Sequence, residues 1–224
     1  MHNRAFRVGA WGRSIPIFAL LAASACVPVG FRPARTVTKG EVEHSLGVMG
    51  FQVDSPAMDD TIGERPKPPK MTIPGASYQL RYGAAQGIDV GVGVASLGAV
   101  TAEATFELVR SEVVDVAIGT SFACDFVDVP LPALATPILV DLNLGRAASI
   151  VGYAAPVVYW PKPEADRVAR LLYQVGVGLD LRAASWLSLR PHAGVVGPME
   201  PVGNEGFPIP FAGIGIALGG DRGF

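Results

Sequence analysis

The sequence predicts an all-β chain, an antiparallel up-and-down transmembrane β-barrel of about ten strands, with eight as the alternative count. Three observations predict it. The first is alternation. From Tyr173 to Arg182 one parity reads Tyr173, Val175, Val177, Leu179, Leu181 and the other Gln174, Gly176, Gly178, Asp180, Arg182. After Ala183-Ala184-Ser185 the pattern resumes beyond Trp186, with Leu187 and Leu189 against Ser188, Arg190 and His192. A period of two marks strands whose faces meet different media, here a hairpin. The second is composition. Half of the chain is apolar (50%) and only 17% is charged, where a soluble domain carries roughly 25% charged residues. Mean hydropathy is +0.36. Yet beyond the N-terminus no apolar run reaches the ~18 residues of a membrane helix. The third is the rhythm of the connections. Every even-numbered one is short, and the odd ones are longer except the third, as periplasmic turns and outer loops would be.

The strands follow in order. Alternation begins at Gly40, with Glu41, Glu43, Ser45 and Gly47 opposing Val42, His44, Leu46 and Val48. Asp54 to Pro74 carries five prolines and several charges and is expected to be a long irregular loop. Tyr78, Leu80 and Tyr82 oppose Gln79 and Arg81, and a Gln86-Gly87 turn leads into Asp89–Val94. Ala102, Ala104, Phe106 and Leu108 oppose Glu103, Thr105 and Glu107. A turn near Ser111-Glu112 leads to Val114, Val116 and Ile118 against Asp115, Ala117 and Gly119. Asp125–Leu134, with Pro130 and Pro132, is expected to be a loop. Ile138, Val140, Leu142 and Leu144 then oppose Asp141 and Asn143. Ile150–Trp160 is apolar on both parities, and Pro156 predicts a bulge or an irregular end, because proline removes a ladder donor. After a charged loop and the hairpin, Gly197–Gly206 is a loop. Last, Ile214, Ile216 and Leu218 oppose Gly213, Gly215, Ala217 and Gly219.

Residues 1–25 read as a signal peptide: Arg4, Arg7 and Arg13 precede a short apolar core, and Ala23-Ser24-Ala25 supplies small residues for cleavage. Cys26 follows at once, so the segment resembles a bacterial lipoprotein signal, with Ala23 where the usual Leu would stand. Lipidation at Cys26 is the expectation; an ordinary secretory signal with an incidental cysteine is the alternative. With Cys26 so used, Cys124 lacks a partner and fits a small apolar strand position. A disulfide between the two is a lesser reading. Residues 26–39, with Pro28 and Pro33 and no alternation, read as a tether, and residues 40–224 as the barrel. The chain is therefore expected to start and end its barrel on the periplasmic side.

Residue types assign the faces. The less apolar parity is mostly small: Gly91, Gly93, Ala95, Ala117, Gly119, Gly176, Gly178, Gly213 and Gly215, with scattered charges. That suits the cramped interior of a narrow barrel, and Val, Leu, Ile and Tyr on the other parity suit lipid. Tyr78, Tyr82, Tyr153, Tyr159, Trp160, Tyr173 and Trp186 fall near strand ends, as an aromatic girdle would. The runs Leu80-Arg81-Tyr82-Gly83, Ile88-Asp89-Val90-Gly91 and Gly178–Arg182 with Trp186–Pro191 resemble bacterial outer-membrane β-barrel proteins, in the style of small OmpA-like or porin-like barrels. That resemblance covers most of Gly40–Phe224. It implies a Gram-negative outer-membrane location, lipid contact and the barrel-assembly machinery as a partner, with Phe224 as the terminal aromatic assembly signal. It does not imply an activity, because such barrels host many.

The inward set is expected to include Glu41, Glu43, Asp89, Glu103, Glu107, Asp115, Asp141 and Asp180 against Arg81, Arg182, Arg190 and His192. Charges in a narrow lumen must pair or keep water. A salt-bridge network that plugs and stiffens the barrel is the main expectation; a thin, acid-biased pore for cations or small polar solutes is the functional one. No enzyme is expected and no catalytic residue assigned. Ser188 and His192 share a face of one strand, but four residues at ~3.3 Å each separate them too far for a hydrogen bond, so a lipid-modifying hydrolase is a minor alternative. A soluble lipocalin-like barrel binding an apolar ligand would need the Val/Leu parity turned inward. No Cys/His cluster has metal spacing, no cofactor is expected, and a net charge of −2 gives no footprint for nucleic acid.

Overall fold

A computed structural model describes residues 31–54, 70–95, 99–125, 131–160, 170–199 and 208–220. It contains eleven strand segments: β1 (Val42–Asp54), β2 (Lys70–Ala85), β3 (Ile88–Ala95), β4 (Ala99–Val109), β5 (Val114–Asp125), β6 (Leu131–Ala135), β7 (Ile138–Asn143), β8 (Ala148–Tyr159), β9 (Arg170–Ala184), β10 (Leu187–Pro198) and β11 (Ile209–Gly219). Each pairs antiparallel with its neighbours, and β1 pairs with both β2 and β11, so the sheet closes on itself.

Segments β6 and β7 form one barrel strand. Both pair with β5 and β8 in a single register: Ser121↔Ala135 continues as Ile118↔Ile138, and Ala135↔Val157 as Ile138↔Ala154. The interruption is Thr136-Pro137, where proline has no N–H to give. Its carbonyl still accepts from Gly119 N at 2.8 Å, and Thr136 N donates to Pro156 O at 3.2 Å. The barrel is therefore ten-stranded. Closure leaves no edge, as a span through lipid requires.

Three expectations built on proline need correction. Leu131–Ala135 belongs to a strand, with Pro132 opposite Cys124. Lys70–Pro74 likewise extends β2, with Pro74 opposite Gly50. Pairing of β8 with β9 runs through Pro156↔Tyr173 without a shift. A proline forfeits one ladder bond, and neighbours paired on both sides in a closed barrel hold the strand regardless. The register shifts that do occur, at Gly83/Ala85, Glu107/Val109 and Leu187/Ser188, all sit beside short turns.

The barrel has two distinct ends. The short connections at 86–87, 110–113, 144–147 and 185–186 gather at one, the turn end, where β1 also begins and β11 finishes. Outside, Leu46, Val48, Val92, Val94, Val175, Val177, Ile214 and Ile216 are exposed. A closed barrel with this apolar exterior and a polar, filled interior is an integral outer-membrane protein. The parity that a soluble ligand-binding barrel would turn inward faces out. Tyr78, Tyr82 and Trp186 are exposed on the turn-end half and Trp160 at the loop end, and His44 Nδ1 lies 2.8 Å from Tyr78 Oη on the exterior. Tyr153 does not belong to the girdle. It points inward, where Gln174 Nε2 donates to its hydroxyl at 2.9 Å.

Val177 is central in β9 and 55% exposed. Val177→Arg is expected to cost about 2–4 kcal/mol, the penalty of a cation on the lipid face near the bilayer midplane. Reversible urea unfolding in lipid vesicles reads that loss directly.

Candidate functional site

The lumen has two layers. Towards the loop end it is apolar, with Met49, Phe51 and Phe211 in one cluster and Ala123, Ala133, Ala135, Ala155 and Val157 in another. Towards the turn end it is charged, and the charge arrangement follows from register. Glu43 on β1 stands opposite Arg81 on β2, whose other neighbour is Gly91; Arg190 on β10 stands opposite Gly215. Each guanidinium therefore has a bare glycine beside it and space to spread.

The result is a chain of alternating charge across five strands. Arg81 pairs with Asp89 and, at 3.3 Å, with Glu43 Oε1. Arg190 donates to Glu43 Oε1 at 3.1 Å and Oε2 at 2.9 Å, and to Asp180 Oδ1 at 2.9 Å. Arg182 Nε closes the series on Asp180 Oδ2 at 3.1 Å. Arg81, Asp89 and Asp180 are 0% exposed, and Glu43 and Arg190 are 1% exposed. At this depth each charge depends on its partner, because an unpaired buried ion costs several kcal/mol.

The opposite wall carries Glu103, Glu107, Asp115 and Asp141 and supplies too few cations to match them. Asp115 even stands directly opposite Asp141. The balance comes from residues 31–38, which run through the lumen as a strap, bent at Ala34-Arg35, before the chain turns at Gly40 (φ 84°) into β1. Arg32 Nη1 lies 2.6 Å from Glu103 Oε2. Arg35 donates to both oxygens of Asp115, at 3.0 and 3.3 Å. Strap amides that would otherwise be orphaned donate to wall carboxylates: Ala34 N to Asp141 Oδ2 at 2.9 Å, Thr36 N to Glu107 Oε2 at 3.1 Å and Val37 N to Asp89 Oδ2 at 3.1 Å. Carboxylates thus stand in for the ladder acceptors that an extended segment lacks outside a sheet. Phe31 stacks on His192, with ring centroids 4.9 Å apart and planes at 5°. Ala34 packs against Ala117 and Leu139.

The small inward residues now have a concrete reason. A Cβ on Gly119 would meet Arg32 Nη2 at 2.6 Å, and one on Gly178 would meet the Phe31 ring at 2.5 Å. At Gly83 a Cβ would collide with the carbonyl of Thr38. The glycines clear a channel shaped to the strap. Residues 31–38, read from sequence as part of a tether, are thus part of the barrel's interior packing.

Glu43, Asp89, Glu103, Asp115, Asp141, Asp180, Arg190 and His192 are buried in the lumen, with Glu107 and Arg182 half-buried at its turn-end rim. Glu41 is not among them. It is exposed at the turn-end rim one residue before β1, where its N–H donates to Thr38 O at 3.0 Å and its carbonyl accepts from Gly83 N at 3.0 Å. Cys26 and Phe224 lie outside the described residues. The residues missed are Phe31, Arg32, Arg35 and Thr36, with Gln79, which bonds Glu103, and Asn143, whose amide donates to Asp115 at 3.1 Å. A signal for them existed: the expected lumen held eight carboxylates against three arginines and a histidine, a deficit of cations that two nearby arginines could fill. His192 Nδ1 lies 3.1 Å from the Arg190 carbonyl. Among the described residues no group of three or more His, Cys, Asp or Glu is placed to hold a metal.

No protein-family model matches the chain, and no curated protein does. Several solved structures are similar. The translocator domain of the autotransporter NalP from Neisseria meningitidis is 9% identical, over 93% of this chain and 98% of that one, with a TM-score of 0.44. Neisserial surface protein A is 7% identical over 82% of this chain and 97% of its own, with a TM-score of 0.38. Ail, the attachment invasion locus protein of Yersinia pestis, is 11% identical over 81% and 99%, with a TM-score of 0.33. These are likenesses of chain trace, and no activity is carried over from them.

Proposed function

We propose that this outer-membrane barrel is closed and structural at rest, with the turn end and both barrel termini on the periplasmic side. One observation carries the reading. Each of Glu43, Asp89, Glu103, Glu107, Asp115, Asp141 and Asp180 is engaged by an arginine of the wall or by the strap. A conducting lumen would instead keep its acids hydrated and its path clear. The apolar layer around Phe51 and Phe211 narrows the lumen towards the loop end. The acid bias of the wall favours cations and small polar solutes, so a narrow pore is the reading that gains if the strap leaves.

The test is reconstitution of the full chain in planar bilayers. A heat-modifiable, folded barrel that shows no steady channels is the expected result. Steady conductance from the intact protein would contradict it. A lipid-modifying hydrolase gains no support from the geometry of His192, whose ring is engaged by Phe31.

A further inference from the structure

We propose that the acidic wall formed by Glu103, Asp115 and Asp141 is a binding site for a cationic peptide segment, and that residues 31–38 are its exchangeable occupant. The proposal rests on the closed-barrel reading and assigns a ligand class to the same lumen.

Three independent features support it. The first is that the strap is held by side chains and not by a sheet. Arg32 and Arg35, three residues apart, engage Glu103 and Asp115, and the intervening amide of Ala34 engages Asp141. This is recognition of a segment with the pattern Arg-x-x-Arg, bent at Ala34-Arg35. At Lys39, where the chain is exposed at the rim, a bridge to Gly83 joins it to the wall backbone. The second is that the wall is incomplete without the occupant. The network from Asp89 to Arg182 balances itself among strands β1, β2, β3, β9 and β10, but Glu103 and Asp141 take no arginine from the wall among the described residues. Asp141 is fully buried, and its Oδ1 has no hydrogen-bond partner even with the strap in place. The third is shape. Gly119 and Gly178 leave grooves for the Arg32 guanidinium and the Phe31 ring, which a Cβ would fill.

With the strap gone, Glu103, Asp115 and Asp141 form an acidic stripe along one side of the lumen, and mobile cations become the available counter-charges. The vacated barrel is then selective for cations, and a peptide of the strap's sequence restores the block.

The experiment uses the full chain. A site-specific protease sequence is inserted between Lys39 and Gly40, in the exposed turn where a Cβ on Gly40 meets nothing within 4 Å. The barrel is folded first and cut afterwards, so folding does not depend on losing the strap. Conductance is read before the cut; steady channels at that stage defeat the closed-barrel reading itself. After the cut, the strap is washed out at high salt or exchanged against a labelled peptide spanning Phe31–Thr38, and its loss is checked by mass. The expected result is cation-selective conductance that the native peptide abolishes and a peptide carrying Arg32→Glu and Arg35→Glu leaves unchanged. A strap that neither washes out nor exchanges overturns the proposal. So does an emptied barrel that stays silent, or equal block by the two peptides.

Discussion

Arg190→Ala is expected to lower the unfolding free energy by about 3–5 kcal/mol, the cost of breaking a buried ion pair by removing one partner. Arg190 is the cation between two carboxylates, donating to both oxygens of Glu43 and to Asp180. Its removal leaves Arg81 as the arginine on Glu43 and Arg182 as the arginine on Asp180. The cavity left by the guanidinium opens beside Gly215, which offers no side chain to fill it. Water entering that space would relieve part of the loss, so the lower end of the range marks a wet cavity. Combining Arg190→Ala with Glu43→Gln should recover part of the loss, because the second change removes a buried charge that has lost the arginine on both its oxygens. Urea midpoints in detergent or lipid vesicles compare the variants.

Arg32→Glu is expected to expel the strap. The substitution sets a second carboxylate against Glu103 where an ion pair of 2.6 Å now stands, at a site with both side chains below 5% exposure. Losing the pair and adding repulsion costs about 3–5 kcal/mol at a buried position, and the loss falls on a strap that side chains hold in place. The barrel wall itself keeps its ladders and its Arg81–Glu43–Arg190 network, so heat-modifiable migration should persist. The readout is trypsin. In the native protein the peptide bond after Arg35 is protected inside the lumen while Lys39 is exposed; in Arg32→Glu cleavage after Arg35 should appear. Unchanged protection of Arg35 would show that Glu103 does not hold the strap.

Strand positions and faces were legible because a barrel imposes one rule on every strand. Val175, Val177 and Leu179 face out while Gln174, Gly176 and Asp180 face in, and the period of two in the sequence records that directly. Asp180 and Arg190 were both legible as inward charges of one hairpin, and they pair across it because cross-strand charges on one face meet. What alternation could not show was anything outside the sheet. Residues 31–38 have no period, since their amides go to the carboxylates of Asp141, Glu107 and Asp89 and not to a neighbouring strand. Prolines misled for a related reason: Pro74, Pro132 and Pro156 each remove a donor, but closure supplies enough partners to carry the strand past them. Tyr153 was placed with the outer aromatics because both parities of its strand are apolar, and only the packing against Phe31 and Gln174 distinguishes its face.

The central claim is that the chain's own residues 31–38 fill the charged half of the lumen. Nuclear Overhauser contacts between the Phe31 and His192 rings, in the full chain reconstituted in lipid nanodiscs, test it most directly. The stacked geometry at 4.9 Å predicts strong ring-to-ring cross-peaks. Their absence, with Phe31 showing the narrow lines of a segment free in solvent, would contradict the account.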